Sequence, residues 1–326
     1  MQELFPMNAQ PLKNPKKVKE VFESGNYVAE IKWNGYRQVC LGGELRSRSR
    51  GVTGQQLSKT EWVPHITRDL IQLGDYWFDG ELLRYPGGTS HDVTRILQSK
   101  LEVALEKQQE MGYLTYMLFD LLHTPEGDTM HLPYERRREL LEEVYHKHLE
   151  GHPYIKLGEV YTDIHQAIEY TKAKGLEGVM VKNKNGLWIP STATTDSRPA
   201  NNWYKIKHEV PTEDVVIIGY VKPEMYYKDS TGKQDTTRFT RFYSNNWIGG
   251  VRIGQYVNGI LTDVGSFSGI TDELRKAMSE NPDAYIGRVV EVKGFERNPT
   301  GHFTSPVFVG FRDDKRKEEC IWQPNT

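Results

Sequence analysis

Cysteine, long apolar runs and an excess of positive charge are all scarce in this chain. Only two of its 326 residues are cysteine, Cys40 and Cys320, and their separation does not match zinc-ligand spacing. A structural disulfide between them is not expected in a reducing compartment. No apolar run approaches the roughly 20 residues that span a bilayer, and the first residues lack the pattern of a signal peptide. We therefore expect an intracellular protein with no membrane partner.

The formal net charge is -2, from 42 basic and 44 acidic residues. This balance argues mildly against a nucleic-acid binder, although the distribution of charge matters more than its sum. Basic residues cluster around positions 13–19, 46–50, 136–138 and 312–317. We interpret the arginine triplet at 136–138 as a solvated helix face.

Apolar spacing and turn residues predict two domains with a boundary near 209–213. Asn34-Gly35 is a strong turn signal, and it predicts a hairpin between strands 27–32 and 36–41. Further strands are predicted at 76–84, 113–122, 178–183 and 203–207, and helices at 92–111, 134–149 and 163–174.

The chain changes character after Pro211. Its segments become short, strand-like and punctuated by glycine, with one helix near 271–279. About five strands and one helix favour a small Greek-key barrel such as an OB-fold. The polar segment 222–246 mixes basic and aromatic residues and is predicted to be a long hairpin inserted in that barrel. Such a segment can grip a nucleic-acid backbone, but an ordinary exposed loop explains it equally well.

Seven short motifs follow one another in a fixed order along the chain. They are Glu30-Ile31-Lys32-Trp33-Asn34-Gly35-Tyr36-Arg37, Ser47-Arg48, Phe78-Asp79-Gly80-Glu81-Leu82, Met117-Leu118-Phe119-Asp120, Glu177-Gly178-Val179-Met180-Val181-Lys182, Trp203-Tyr204-Lys205-Ile206-Lys207 and Arg312-Asp313-Asp314-Lys315. Each alone has an ordinary structural explanation, such as a strand end, a turn or an edge strand. Their order makes a functional interpretation much stronger.

This series resembles the covalent nucleotidyltransferase superfamily of ATP-dependent DNA ligases, RNA ligases and mRNA capping enzymes. The closing Arg-x-Asp-Lys and the chain length are most similar to the small bacteriophage and viral ATP-dependent DNA ligases. The resemblance implies an α+β fold with a nucleotidyltransferase (ATP-grasp-like adenylation) domain at 1–210. An all-β OB-fold domain at 211–326 would follow it. It also implies a cytoplasmic enzyme of a bacterium or a phage-infected cell.

The resemblance assigns ATP as cosubstrate, with AMP carried covalently on Lys32, and Mg²⁺ or Mn²⁺ as the metal. An amine attacks phosphorus only when it is neutral, and nearby cations favour that form. The implied roles are catalysis by Lys32, Arg48, Lys205, Lys207, Arg312 and Lys315, nucleotide binding by Glu30, Ile31, Lys32, Arg37, Arg48, Glu81, Phe119, Lys205 and Lys207, and metal binding by Glu177 and Glu81. Arg50 is the alternative to Arg48, because Arg46, Arg48 and Arg50 alternate with serine.

One residue departs from the family pattern. The family has Lys-x-Asp-Gly, whereas this chain has Asn34 at the position of the aspartate. Asparagine keeps the shape and one acceptor but loses the charge. The substitution therefore puts the efficiency of one or more steps in question without moving Lys32.

The resemblance implies sealing of nicked duplex DNA by a monomer that encircles the duplex as a clamp. The segment 208–213 would act as a hinge that brings Arg312 and Lys315 over ATP. The alternatives are an RNA ligase or capping-type nucleotidyltransferase and, from a different class, a nick-binding protein with an impaired site. Substrate preference would separate the first alternative, and detectable turnover would exclude the second.

Overall fold

The computed structural model describes residues 3–50, 55–88, 90–191, 200–208, 212–228, 234–294, 297–298 and 300–323. The chain divides into two compact units, Met1–His208 and Glu209–Thr326. Residues 209–211, which belong to the predicted hinge, lie outside the described residues. None of the helices in the described ranges combines the length and apolar character needed to cross a bilayer.

The first unit combines helices with two sheets. Its strands are β1 Ala9–Pro11, β2 Tyr27–Ile31, β3 Tyr36–Leu41, β4 Glu44–Arg50, β5 Gln56–Ser58, β6 Trp77–Leu83, β7 Thr115–Thr124, β8 Gly127–Asp128, β9 Ile155–Leu157, β10 Val160–Tyr161, β11 Gly178–Asn183 and β12 Ala200–Lys207. Its helices are α1 Pro15–Glu23, α2 Pro64–Gln72, α3 Ser90–Leu97, α4 Leu101–Met111, α5 Tyr134–His148 and α6 Ile164–Ala173.

One sheet has the order β1-β12-β11-β2-β10. The other has the order β5-β4-β3-β6-β7-β8, and β9 also pairs with β7. A buried cluster joins side chains of both sheets, including Val39 of β3, Leu122 of β7 and Trp203 of β12. Because apolar burial is the main favourable term in folding, this shared core links the two sheets.

The predicted hairpin at Asn34-Gly35 is wrong. Strand β2 pairs with β10 and β11, whereas β3 pairs with β4 and β6, so the two strands belong to different sheets. A type I′ hairpin turn needs positive φ at both central residues, and neither Asn34 nor Gly35 has one. Instead, a Cβ on Gly35 would lie 2.2 Å from the Leu82 carbonyl oxygen. The glycine therefore permits close backbone approach.

The helix predicted at 92–111 is two helices, α3 and α4, which are separated at residues 98–100. Ser99 lies in the break, where its hydroxyl donates to the Arg95 carbonyl at 2.8 Å and accepts from Lys107 Nζ at 2.6 Å. Serine side chains compete in this way with helical backbone bonding. The other predicted elements of this unit are present, with ends shifted by a few residues.

The second unit contains an antiparallel five-stranded sheet of order β17-β16-β13-β18-β19. Its strands are β13 Thr212–Val221, β14 Tyr226–Lys228, β15 Gln234–Phe239, β16 Gly250–Val257, β17 Ile260–Phe267, β18 Val289–Lys293 and β19 Val307–Phe311, and its helices are α7 Arg241–Ser244 and α8 Asp272–Glu280. Met278 of α8 packs on the apolar side of the sheet. This arrangement agrees with the predicted barrel-type domain.

The described parts of the polar segment 222–246, residues 222–228 and 234–246, form a small arm. Strands β14 and β15 pair antiparallel, and α7 follows them. The rings of Tyr226, Phe239 and Tyr243 stack in series, with centroid distances of 5.1 and 5.3 Å. Lys233, a basic residue of this segment, lies outside the described residues. Stacking of these three rings therefore stabilises the described part of the arm.

Candidate active site

The predicted site residues of the first unit line one pocket of about 560 Å³. This volume lies in the range of small-molecule sites. The predicted residues along its wall are Glu30, Ile31, Lys32, Arg37, Arg48, Glu81, Phe119, Glu177, Lys205 and Lys207. Asn34 also contributes to the wall. Motifs that are far apart in sequence therefore meet in one place.

Strand register brings Lys32 to Glu177. Lys32 follows β2 directly and donates its backbone N–H to the Gly178 carbonyl at 2.9 Å. Its Nζ forms an ion pair with Glu177 Oε2. Lys207, opposite Gly178 in the sheet, places its Nζ 2.6 Å from Glu177 Oε1. One carboxylate thus holds two amines in position at the pocket wall.

Lys205 and Lys207 lie two residues apart on β12, so they project from the same face of the strand. Burial lowers the pKa of Lys205, and the charges of Lys207 and Lys32 lower it further. A site that crowds cations in this way favours an anionic ligand. Phosphate groups satisfy that requirement.

The two candidate arginines of β4 have different surroundings. Arg48 lines the pocket. Arg50 pairs with Glu3 at 2.7 Å, and its guanidinium lies 4.8 Å from the centroid of the Phe5 ring. The placement of the two side chains therefore favours Arg48 over Arg50 as the pocket arginine.

A buried ion pair lies at another part of the pocket wall. Glu30 Oε1 accepts hydrogen bonds from Lys182 Nζ at 2.7 Å and from the Tyr134 hydroxyl at 2.5 Å. Burial lowers the pKa of Lys182, and the Glu30 carboxylate opposes that shift. Lys182 Nζ also lies 4.2 Å from the Trp203 ring centroid and 4.9 Å from that of Phe119. These groups form a polar and aromatic surface that suits a purine base.

Sequence reasoning did not select Lys182 or Trp203 as site residues, although both stand in the quoted motifs. The signal for Lys182 was a lysine inside an apolar strand, because a buried charge needs a partner. Nothing in the sequence alone identified that partner as Glu30.

Arg37 is held by Asp79 through two hydrogen bonds, of 3.0 and 2.6 Å, and donates to the Met7 carbonyl at 2.6 Å. Asp79 also accepts from Trp188 Nε1 at 2.9 Å. The pair lies inside β6 and β3, so Asp79-Gly80 is part of a strand and not a turn. Arg37 also lines the pocket, and its contact with ribose or phosphate stays a prediction.

Glu81 accepts the Gly35 backbone N–H at 2.9 Å. Burial raises the pKa of Glu81 to about 7, and the charge of Lys32 opposes the shift. Among the described residues, no group of three or more His, Cys, Asp or Glu side chains could hold a metal alone. Mg²⁺ usually binds one or two carboxylates together with substrate phosphates. Glu177 and Glu81 fit such a shared site, in which a bound nucleotide would supply the remaining ligands.

The last motif lies in the second unit. Arg312 donates twice to Asp314, at 2.9 Å each, and once to Asp214 at 3.1 Å. Lys315 Nζ lies 2.7 Å from the other Asp214 oxygen. The hydrogen bonds to Asp314 and Asp214 raise the pKa values of Arg312 and Lys315 respectively. Both side chains are therefore preorganised as cations.

A family model described as the ATP dependent DNA ligase domain matches residues 6–207. The match covers more than half of the chain and includes every motif of the first unit. The chain belongs to the ATP-dependent DNA ligase family.

Relatives agree with this assignment. A probable DNA ligase of Dictyoglomus thermophilum is 28% identical over 212 residues, which cover 61% of this chain and 34% of that protein. A DNA ligase of Methanothrix thermoacetophila is 30% identical over 228 residues, covering 62% and 36% respectively. The chain thus matches only about a third of the length of these relatives.

A solved structure from a structure-function study of Lig E DNA ligases resembles the whole fold. The TM-score is 0.63 at 15% identity, with 96% of this chain and 100% of that chain covered. At this identity the likeness concerns the fold alone. The fold class is α+β, a nucleotidyltransferase unit followed by an OB-fold unit, as the sequence predicted.

Proposed function

We propose that this protein is an ATP-dependent DNA ligase that seals nicks in duplex DNA. The observation that carries the proposal is Lys32, held by Glu177 in a pocket whose wall also contains Arg48, Lys205 and Lys207. A lysine nucleophile with several cations around it matches the demands of nucleotidyl transfer, in which negative charge accumulates on phosphate oxygens.

In the first step, the neutral Lys32 Nζ attacks the α-phosphorus of ATP, a P–N bond forms, the nitrogen loses a proton to solvent and the bond to pyrophosphate breaks. Lys205, Lys207 and Arg48 stabilise the charge on the phosphate oxygens. Glu177 and Glu81 would hold Mg²⁺ or Mn²⁺, which when bound would supply Lewis-acid polarisation of the phosphates. Phe119 stacks on the adenine, and Glu30 and Ile31 complete the base site.

In the second step, an oxygen of the nick 5′-phosphate attacks the adenylate phosphorus, the P–N bond breaks and Lys32 regains a proton. In the third, the 3′-hydroxyl attacks the 5′-phosphorus, loses its proton and displaces AMP. Arg312 and Lys315 of the second unit assist pyrophosphate departure in the first step. Arg37 contacts the ribose or a phosphate.

The domains proposed are an adenylation domain at 1–210 and an OB-fold domain at 211–326. We further propose that the protein is a monomer that closes around DNA as a clamp. The 222–246 arm would contact the sugar-phosphate backbone of the DNA. The arm carries Lys228, Arg238 and Arg241 beside exposed rings of Tyr227 and Phe239, a combination that suits phosphate and sugar contacts. The use of ATP supports a cytoplasmic location.

The test is sealing of a singly nicked duplex with a labelled 5′-phosphate, ATP and Mg²⁺, resolved on a denaturing gel. Wild-type protein should give the longer sealed strand, and Lys32→Ala should give neither sealing nor covalent label from α-labelled ATP. Lys19→Ala, an exposed lysine paired with Glu23, is the matched control. A covalent adenylate on Lys32→Ala would overturn the site assignment.

Parallel assays with other substrates distinguish the alternative functions. Preference for GTP over ATP would favour a capping enzyme, and preference for a nick in RNA would favour an RNA ligase. Binding of the nick without any turnover would indicate an impaired nick-binding protein.

A further inference from the structure

Two aromatic side chains, one in the pocket wall and one in contact with it from outside the wall, have no role in the proposed nucleotide site. Trp33 and Tyr85 form an edge-to-face pair with ring centroids 5.8 Å apart and an interplanar angle of 87°. Neither ring belongs to the buried hydrophobic clusters of the described residues or to the side chains packed against them. Folding of the core therefore does not explain their presence.

The pair extends from the pocket to the surface. Trp33 lines the pocket beside Lys32, whereas Tyr85 lies outside the lining and is 45% exposed. A group that contacts both rings would lie beyond the space next to Lys32. In a reaction with two substrates, that position suits the second substrate rather than the nucleotide already attached to the lysine.

Both rings lie on anchored backbone. The link that carries Trp33 is held at one end by the Lys32 N–H bond to the Gly178 carbonyl, and at the other by the Gly35 N–H bond to Glu81. The turn that carries Tyr85 follows β6 and is closed by a 2.8 Å bond from the Gly88 N–H to the Arg84 carbonyl. Rings that are fixed before binding lose little entropy when a ligand stacks on them.

The neighbouring charges indicate the kind of group that would stack there. Arg48, Lys205 and Lys207 line the same pocket, so a polyanion is drawn toward its mouth. Exposed aromatic rings beside such cations bind nucleobases and sugars by stacking, which tolerates any sequence. A phosphate flanked by a nucleoside satisfies both features.

We propose that Trp33 and Tyr85 form a contact site for the nucleoside that carries the 5′-phosphate at the nick. This inference rests on the proposed ligase function and adds to it a substrate-positioning surface next to the reacting lysine. Trp33 supplies the inner ring of this site, and Tyr85 supplies the outer ring and also fixes the Trp33 ring from its edge.

The experiment measures the Kd of the full-length protein for a nicked duplex whose 3′ end is a dideoxynucleotide, so that sealing cannot occur. Trp33→Ala and Tyr85→Ala should each weaken binding at least five-fold, and Tyr85→Phe should restore it because the ring remains. The matched control is Tyr170→Ala, since Tyr170 is 39% exposed and forms a comparable pair with Tyr161, with centroids 5.8 Å apart.

A second comparison uses the substrate as the variable. Removing the base from the 5′-phosphate nucleotide should weaken binding to the wild type but add little to the loss already caused by Trp33→Ala. Moving the abasic position six nucleotides from the nick should weaken both proteins equally. If the loss of affinity from base removal at the nick were as large in Trp33→Ala as in the wild type, the proposed contact would be wrong.

Different results would refute this inference and the proposed ligase function. A wild-type protein that neither binds nor seals a nicked duplex would refute the ligase function itself. A wild type that does both, with variants that bind equally well, would refute only the aromatic contact. If Trp33→Ala raised the KM for ATP in self-adenylation and left nick affinity unchanged, the ring would serve the nucleotide, and the proposal would be wrong.

Discussion

At the residue scale, Gln38 is the least satisfied polar side chain near the core of the first unit. It is fully buried on β3, and neither its Oε1 nor its Nε2 has a hydrogen-bond partner among the described residues. It alternates along the strand with Arg37 and Val39, so it shares a face with Cys40 of the apolar core. An amide buried without partners costs about 1–3 kcal/mol.

Gln38→Met should therefore raise the free energy of unfolding by about 1–2 kcal/mol, because methionine fills a similar space without a polar group. Urea unfolding measures this change. Gln56→Met is the control, since Gln56 is buried but bonded to Leu4 and Ser47, and it should destabilise. A loss of stability in Gln38→Met would show that the amide has a partner in solution.

Glu81 makes the stability of the first unit depend on pH. Its folded pKa of about 7 lies above the ordinary value of 4.5, so the native state holds its proton more tightly than the unfolded chain. The stabilising effect of that proton is fully present below pH 4.5 and is lost as the pH rises through 7.

The glutamine side chain of Glu81→Gln stays neutral at every pH. The free energy of unfolding of this variant should therefore rise relative to that of the wild type by up to about 3 kcal/mol between pH 4.5 and pH 7.5. Urea unfolding of both proteins at several pH values provides the measurement. A difference between them that did not change with pH would mean that Glu81 titrates normally.

At the element scale, helix α8 holds the base of the arm. Arg275 on this helix is buried and donates to the carbonyls of Ile248 and Gly249, at 2.8 and 3.0 Å, and to that of Ser268. Its guanidinium also lies 4.0 Å from the Phe242 ring centroid. One side chain thus links α8 to the residues that follow the arm and to the end of β17.

Arg275→Met should destabilise the second unit by roughly 2–4 kcal/mol, because three carbonyl groups lose their donor. Arg275→Lys should recover part of this loss. Arg252→Met is the control, since Arg252 is exposed and pairs with Asp263, and such surface pairs contribute little. Thermal unfolding of the full chain distinguishes the three, and equal transitions would show that the buried arginine does not hold the arm.

At the scale of the whole molecule, charge is unevenly distributed. The net charge is -2, but the pocket and the arm each carry several cationic side chains. Binding of nicked DNA should depend on phosphate contacts and not on base sequence. The Kd should therefore rise steeply, by tenfold or more, between about 50 and 200 mM salt. Fluorescence anisotropy with two nicked duplexes of unrelated sequence tests both statements, and an affinity independent of salt would contradict the proposed mode of binding.

The order of the motifs predicted the family and the fold class from sequence because nucleotidyl transfer restricts which residues can act, and in what local setting. Apolar spacing also located most strands and helices, since burial imposes a period of two or 3.6 residues. The choice between Arg48 and Arg50 stayed open, because residues two apart on a strand share a face, so the sequence pattern does not distinguish them.

Tertiary structure alone decided how the local signals combine. Asn34-Gly35 reads as a hairpin in sequence, yet the backbone passes between two sheets there, because β2 and β3 each find other partners. The pairing of Lys182 with Glu30, and of Glu177 with Lys32 and Lys207, likewise depends on the register between strands that are separate segments of the chain. The sequence determines the chemical type of each side chain, because that is a local property. The distances between the charged groups depend on the tertiary structure, because folding brings separate segments together.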